Sequence, residues 1–239
     1  MANEKQFNGK AQFYNSRPTY PQECIDYLIN KFNLNPDSVI ADIGAGTGIL
    51  TKPFLDFGCS VYAVEPNDDM FLELNKQLSR YPNVEYLKNS AEKTDIPSYS
   101  CDAVVVGTAF HWFDKDRFHT ECKRILKNNK NVAILRIANN TEADKQIDKI
   151  QGHSEQDLNE AKQFFGVGFV EHISFEYVQS FDEERHINNL LSSATAPLPN
   201  DTSFDAYVIR CKNVFAKYFV NGPAELPFVV NCYIGKLDT

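Results

Sequence analysis

The stretch from Val39 to Gly48, which reads VIADIGAGTG, decides the fold of this 239-residue chain. Its first half is a short apolar run with β-branched residues, which is typical of a buried strand. Its second half places glycines at positions 44, 46 and 48, and an amphipathic helical pattern follows. A glycine turn between a strand and a helix lets a ligand approach the backbone and directs free N–H groups at it. The stretch therefore predicts a strand–turn–helix unit with a ligand at the turn.

Two features of this stretch limit the kind of ligand. Asp42 adds a carboxylate at the end of the strand, which suits a ligand with positive charge and hydroxyl or amino donors better than a bare phosphate. Ile49 stands three positions after Gly46, where the dinucleotide fingerprint requires a third glycine. The alternative is an ordinary turn that needs glycine only for its backbone angles.

Composition and charge disfavour several kinds of partner. The formal net charge of −8 argues against a nucleic acid, because phosphate recognition needs a basic stripe. The six cysteines form no C-x-x-C pair, so we expect free buried thiols rather than disulfides or zinc ligands. A polar N-terminus and the lack of an apolar run of about 20 residues predict no signal peptide and no membrane partner. We expect a soluble, cytoplasmic protein.

Apolar runs and helical patterns alternate along the chain, which predicts an α/β fold with a doubly wound, mostly parallel seven-stranded sheet. The predicted strands are residues 39–43, 60–64, 84–87, 102–107, 131–137, 175–181 and 226–234.

We interpret the chain as a single domain in four parts. Residues 1–34 form an N-terminal lid and a first helix, because an aromatic, proline-containing segment is too stiff and apolar to be a disordered tail. Residues 35–140 form the core that binds the cofactor. Residues 141–222 are predicted to form a substrate cap over the carboxyl edge of the sheet, and residues 223–239 return to it as the final strand.

Four clusters of candidate ligand-binding residues fall at the carboxyl ends of predicted strands, where ligands of open α/β sheets bind. They are residues 42–48, Glu65, residues 90–92 and residues 108–112. Glu65 follows Asp42 by 23 positions and ends the second strand, where a carboxylate can accept both hydroxyls of a ribose. A solvated loop acid is the alternative for Glu65 taken alone.

These motifs resemble those of class I S-adenosylmethionine-dependent methyltransferases, which share a Rossmann-like fold. The resemblance rests on DIGAGTG at 42–48, VEPN at 64–67 and SAE at 90–92. The opening Y-x-x-R-P-x-Y-P at 14–21 and AFHWFD at 109–114 are similar to the small-molecule branch that includes trans-aconitate methyltransferase. The resemblance covers about the first 140 residues well and the predicted cap poorly.

The resemblance implies S-adenosylmethionine as the cofactor. It places the glycine corner against the methionine part, Asp42 near its amino group and Glu65 on the ribose. Tyr14 and Arg17 would close over the carboxylate of the cofactor, since a guanidinium binds carboxylates in a two-pronged geometry. The full set of predicted cofactor-binding residues is Tyr14, Arg17, Asp42, Gly44, Ala45, Gly46, Thr47, Gly48, Glu65, Pro66, Met70, Ser90, Ala91, Glu92, Thr108 and Ala109.

The predicted partner is a small-molecule methyl acceptor, with a carboxylate as one candidate. Tyr20, His111 and Trp112 are the candidate acceptor-site residues. A carboxylate needs no general base, whereas a phenol, thiol or carbon acid would, and His111 is the nearby candidate for that catalytic role. A hydrogen-bonded wall residue is the alternative for His111. We predict no metal, because no cluster has metal-ligand spacing.

Two other functions compete with a methyltransferase. A regulatory protein could keep the cofactor pocket without catalysis, because methyl transfer depends on no hallmark catalytic residue. A nicotinamide-dependent oxidoreductase is disfavoured by Ile49 and by the lack of a Tyr-x-x-x-Lys pair.

Overall fold

A computed structural model describes residues 7–139, 154–220 and 222–237. Seven strands within these residues form one sheet in the order β3-β2-β1-β4-β5-β7-β6, which confirms the predicted fold class. The strands are β1 (Val39–Ile43), β2 (Ser60–Val64), β3 (Val84–Leu87), β4 (Cys101–Gly107), β5 (Leu126–Asn139), β6 (Phe169–Phe181) and β7 (Ala224–Lys236). The helices are α1 (Ala11–Tyr14), α2 (Gln22–Phe32), α3 (Thr51–Phe57), α4 (Asp68–Leu78), α5 (Lys115–Ile125), α6 (Ser154–Phe165), α7 (Glu183–Leu191) and α8 (Phe204–Tyr218).

The strand order reverses between β1 and β4, which creates the crevice where ligands of doubly wound sheets bind. Strands β1 to β5 pair in parallel, and β7 pairs antiparallel with both β5 and β6. In the registered pairs Ile43 lies beside Val64, so the residues that follow β1 and β2 emerge at one edge. The glycine stretch after Ile43 and Glu65 after Val64 are therefore neighbours in space.

Apolar side chains cover both faces of the sheet, which explains why its central strands are continuously hydrophobic. Helices α2, α3 and α4 bury residues such as Leu28, Phe54 and Leu74 against one face. Helices α5 and α6 bury residues such as Phe118 and Phe165 against the other. All six cysteines are buried and free, as predicted.

Residues 141–222 were all predicted to form a cap, but part of this region belongs to the sheet and to the helices that cover it. Residues 140–153 lie outside the described residues. Helix α6 packs against one face of the sheet, and β6 extends the sheet at its edge. The term cap is used below for residues 183–218, which contain α7, α8 and the segment between them.

The edge strand β6 begins at Phe169, six residues earlier than predicted, because one of its faces is exposed. Mostly polar residues on the exposed face alternate along the strand with mostly apolar residues on the other face, so the strand carries no continuous apolar signal. No helix in the described part of the chain is long and apolar enough to cross a membrane.

Candidate functional site

A cleft of about 600 Å³ opens at the carboxyl ends of β1, β2 and β4. The N-terminal strap, defined as residues 7–20, and the cap close over it from the other side. Most residues predicted from the sequence line this one cleft. Those that do are Tyr14, Arg17, Tyr20, Asp42, Gly44, Ala45, Gly46, Thr47, Glu65, Pro66, Met70, Ser90, Ala91, Glu92, Thr108, Ala109 and Trp112.

Two predicted site residues, Gly48 and His111, do not line the cleft. Gly48 has φ 91°, and a Cβ there would lie 2.8 Å from Leu78 of α4, so this glycine serves helix packing. His111 is exposed outside the cleft lining, with its Nδ1 2.8 Å from Nη1 of Arg136. This position does not support the catalytic role considered for His111 and agrees better with its alternative as a hydrogen-bonded residue.

The other two glycines of the turn differ in what surrounds them. A Cβ on Gly44 would lie 2.7 Å from Cβ of Ala109, so this position is closed by the segment after β4. A Cβ on Gly46 would meet only the ring of Tyr14, at 3.8 Å. Gly46 has φ 59°, and its backbone faces the cleft. It is the position of the turn where a ligand can approach the main chain.

Glu65 is fixed at the end of β2 by two backbone donors. Its Oε2 accepts a hydrogen bond from the amide of Gly46 at 2.9 Å, and its Oε1 accepts one from the amide of Asn67 at 2.9 Å. The side chain is 7 % exposed, so its orientation is well defined. Each carboxylate oxygen has two lone pairs, so a carboxylate in this position can accept hydroxyl groups of a ligand in addition to backbone donors.

Asp42 is a fully buried carboxyl group that is only half satisfied. Thr51 donates its hydroxyl to Oδ2 at 2.6 Å, and Oδ1 has no hydrogen-bond partner among the described residues. Burial raises the pKa of Asp42 to about 7, and the nearby charge of Glu65 adds to this shift, while the Thr51 hydroxyl opposes it. The buried hydroxyl of Thr47 in the same turn also has no partner. Unsatisfied buried acceptors are uncommon, and here they line a cleft.

The strap brings Tyr14 and Arg17 over the cleft as a stacked pair. The guanidinium of Arg17 lies 4.4 Å from the ring centre of Tyr14. Its Nε donates to Oγ of Ser192 at 2.8 Å, and its Nη2 donates to the carbonyl oxygen of Ser192 at 3.0 Å. Burial raises the pKa of the Tyr14 phenol; the charge of Arg17 opposes this shift and that of Glu65 adds to it. Arg17 therefore connects the cleft to the cap.

Thr108 and Tyr20 shape the floor of the cleft beyond β4. Thr108 has φ 54°, an uncommon value for a β-branched residue, and its amide donates to the carbonyl of Leu135 at 2.8 Å. Tyr20 hydrogen-bonds the side chain of Thr108, and burial raises the pKa of its phenol well above the usual value. A Cβ on Gly107 would lie 2.5 Å from the Tyr20 hydroxyl, so glycine makes room for this contact.

Several residues that line the cleft were not predicted. Arg136 and Ile137 lie near the end of β5, where the rule used for the other strand ends would have found them. The cap and β7 provide residues with no recognisable motif in the sequence. The unpredicted lining residues are Phe7, Pro18, Ile49, Leu50, Asn67, Gly107, Phe113, Arg136, Ile137, Asn189, Leu190, Ser193, Thr195 and Phe228.

The glycine turn, Glu65 and the strand ends all lie within one region that is similar to a known family. Residues 41–134 match the methyltransferase domain family. A Dictyostelium discoideum protein described as a methyltransferase is 35% identical over 136 residues, which are 55% of this chain and 50% of that protein. The chain thus spans about half the length of this relative. Residues 41–134 are thus similar to a methyltransferase domain, as the sequence motifs predict, and the trans-aconitate branch stays a prediction.

Solved structures agree on the fold. A protein of Anaeromyxobacter dehalogenans described as a type II methyltransferase superimposes with a TM-score of 0.65 and 20% identity, covering 93% of this chain and 99% of that one. Phosphoethanolamine N-methyltransferase 2 of Haemonchus contortus, in complex with phosphomonomethylethanolamine and S-adenosylhomocysteine, gives a TM-score of 0.53 and 16% identity over 93% of this chain and 54% of that one. The methyltransferase-type Rossmann-like fold is therefore shown over nearly the whole chain.

Proposed function

We propose that this protein transfers a methyl group from S-adenosylmethionine, its cofactor, to a small carboxylic acid. The observation that carries the first half of this proposal is the pair of carboxyl groups in one cleft. Asp42 is buried with an unsatisfied oxygen at the glycine corner, and Glu65 is fixed close enough to raise the pKa of Asp42. A ligand with an ammonium group at one end and a diol at the other matches this pair.

The remaining walls fit the other parts of this cofactor. Pro66, Met70 and Ala91 give apolar surface for a purine ring next to Glu65. Arg17 provides a guanidinium for an amino acid carboxylate, with Gly46 leaving the main chain accessible beside it. A pyrophosphate has neither positive charge nor donors for two carboxylates, which disfavours a nicotinamide dinucleotide.

Methyl transfer needs little from the protein beyond the alignment of the methyl donor with the acceptor. When bound, S-adenosylmethionine would supply a methyl group on its sulfonium sulfur, which an acceptor oxygen would take as the carbon–sulfur bond breaks and a neutral thioether leaves. The protein holds the donor and the acceptor in line and excludes water. The strap residues Tyr14 and Arg17 and the cap cover the cleft and serve this exclusion.

Two properties of the acceptor side favour a carboxylate. Its wall combines the cationic Arg136 with the hydrogen-bonding side chains of Asn189, Ser193 and Thr195. His111 does not line the cleft, and an ionised carboxylate is a methyl acceptor that needs no general base. Apolar residues such as Phe228 complete the wall, which favours an acid with an apolar part and disfavours a nucleic acid.

Methyl transfer from labelled S-adenosylmethionine to a panel of carboxylic acids, phenols and amines tests this proposal. We expect labelled product from acids only, and the label should be released by mild base because it is held in a methyl ester. Transfer to phenols or amines alone would overturn the carboxylate. Tight cofactor binding without turnover on any acceptor would favour the regulatory alternative, and a lack of cofactor binding would overturn the whole proposal.

A further inference from the structure

The N-terminal strap contacts the cofactor side of the cleft and the cap at the same time. On the cofactor side, the amide of Gly9 donates to Oδ2 of Asp69 at 2.7 Å, and Nδ2 of Asn15 donates to Oε1 of Glu73 at 3.1 Å. Both acceptors lie on α4, the helix that follows Glu65. The strap is thus attached to the element that borders the predicted adenine site.

Lys10 attaches the strap to the cap and is almost completely buried, with 1 % of its surface exposed. Its ammonium group donates to the carbonyl oxygens of Leu191 at 3.2 Å, Ala196 at 2.6 Å and Pro197 at 3.2 Å. These three acceptors use all three donors of the group. The cation also lies at the carboxyl end of α7, where the helix dipole favours positive charge.

The burial of Lys10 indicates that its three hydrogen bonds are a specific feature of the structure. A buried ammonium group is costly unless all its hydrogen bonds are made. Burial lowers the pKa of Lys10, and the negative charge of Asp201 in the cap opposes this shift. Lysines on surfaces usually remain solvated, so a buried one in a strap indicates a specific structural role.

The segment held by Lys10, residues 191–197, also contributes to the acceptor wall. Ser193 and Thr195 line the cleft from this segment, and Ser192 between them and α7 holds Arg17. Phe13 of the strap packs into the apolar cluster of the cap that contains Leu190. The strap and the cap segment are therefore joined at three points, and Lys10 makes the most buried polar contact.

We propose that Lys10 is a positioning residue that couples cofactor binding to ordering of the acceptor wall. This inference rests on the proposed function. A cofactor under Tyr14 and Arg17 orders the strap, and Lys10 passes that order to residues 191–197. Because the two segments are attached, ordering the first lowers the entropy lost on ordering the second. Binding free energies are reciprocal, so the acceptor in turn strengthens cofactor binding.

Hydrogen exchange measured by mass spectrometry, with and without S-adenosylhomocysteine, tests the coupling. In the unmodified protein we expect the ligand to slow exchange in the strap and in residues 191–197. In Lys10→Met, the ligand should still protect the strap and its Kd should change by less than about threefold, because Lys10 lies outside the cleft lining. Protection of residues 191–197 should fall by at least about threefold. Lys212→Met, an exposed lysine on α8, is the matched control and should behave like the unmodified protein.

A merely structural role for Lys10 would lower stability and ligand affinity without changing which segments the ligand protects. Equal protection of residues 191–197 in Lys10→Met and in the control would overturn the inference. If Lys10→Met does not fold, Ser192→Ala weakens the second polar connection, because it removes the Oγ that accepts from Nε of Arg17 and keeps only the carbonyl contact. This variant should reduce the same protection, and an unchanged pattern there would also overturn the inference. An unmodified protein that binds the ligand without protecting residues 191–197 contradicts the coupling alone. If calorimetry shows that the unmodified protein does not bind S-adenosylhomocysteine, the proposed function is contradicted as well.

Discussion

At the scale of single residues, burial brings the ionisation of Asp42 into the neutral pH range. Its carboxyl group is fully buried, has one unsatisfied oxygen and has its pKa raised to about 7. An ordinary aspartate in water has a pKa near 4. The folded protein therefore binds a proton at Asp42 more tightly than the unfolded chain does. Stability falls as the pH rises from about 4 to about 7, and the full cost of the buried charge is present above pH 7. A cationic ligand offsets this cost.

This shift predicts that cofactor affinity depends on pH. The ammonium group of S-adenosylhomocysteine is attracted by ionised Asp42. Because the pKa of Asp42 is about 7, this ionised form predominates above that pH and is lost below it. We expect the Kd to rise by about tenfold between roughly pH 8 and roughly pH 6, as proton and ligand compete. Calorimetry across this range measures the effect, and a flat profile would contradict it.

Asp42→Asn should raise the stability of the protein and lower its affinity for the cofactor product. The amide keeps an acceptor for the Thr51 hydroxyl and removes the buried charge, so the free energy of unfolding at pH 8 should rise by roughly 1–3 kcal/mol. S-adenosylhomocysteine affinity should fall at the same pH, and its dependence on pH should flatten. Denaturant unfolding and calorimetry on the same variant test both halves. A destabilised variant with unchanged affinity would contradict the role given to this carboxyl group.

Glu65→Ala should weaken S-adenosylhomocysteine binding by roughly 1.5–3 kcal/mol, the range for hydrogen bonds to a charged group. Since Glu65 also accepts from the amides of Gly46 and Asn67, the melting temperature must be measured beside the affinity. Glu85→Ala, which removes an exposed glutamate from β3, is the matched control and should bind normally. Unchanged affinity in Glu65→Ala would mean that the ribose lies elsewhere.

At the scale of elements, the turn between β1 and α3 uses its glycines for different purposes. All three have positive φ, and both Gly44 and Gly46 line the cleft, but a Cβ on Gly44 or Gly48 would clash with protein atoms whereas one on Gly46 would not. The regular Gly-x-Gly-x-Gly spacing gives no sign of this division. Only the positions of Ala109 and of α4 decide at which of these glycines packing leaves no room for a side chain.

Two substitutions separate these purposes. Gly46→Ala should lower S-adenosylhomocysteine affinity more than about tenfold while costing about 1–2 kcal/mol of stability, the strain of a left-handed backbone. Gly44→Ala adds a clash with Ala109 to the same strain, so its loss of stability should be clearly larger. Chemical denaturation and calorimetry on both variants provide the comparison. Equal losses of stability and affinity in the two variants would contradict the division.

At the scale of the whole molecule, the acceptor wall exists only because distant segments meet. Arg136 comes from β5, Asn189 and Thr195 come from the cap, and Phe228 comes from β7. These residues span nearly a hundred positions of sequence. The proposed carboxylate specificity is thus a property of the tertiary structure and is tested at that level.

Arg136→Gln should raise the KM for a carboxylic acid acceptor by about tenfold or more, because a charge-assisted hydrogen bond contributes about 1.5–3 kcal/mol. Cofactor affinity should change little, since the predicted cofactor residues lie at the other strand ends. Arg210→Gln, an exposed arginine on α8, is the matched control. A normal KM in Arg136→Gln would place the acceptor charge elsewhere in the cleft.

The sequence by itself determined the sheet, the glycine turn and the acid that ends β2. These are local signals: the apolar runs are continuous because both faces of the sheet are covered, and the turn residues follow from backbone geometry. The same local rule, applied to the ends of β1, β2, β3 and β4, identified most of the cofactor-side residues that line the cleft.

Only the tertiary structure decided the rest. His111 is next to Trp112 in sequence, yet Trp112 of the short helical turn at 110–112 lines the cleft, whereas His111 lies outside the lining in contact with Arg136. The burial of Lys10 depends on carbonyl groups more than 180 positions away. Motif spacing describes neighbours along the chain, whereas a wall residue or a buried cation is defined by what long-range packing brings beside it.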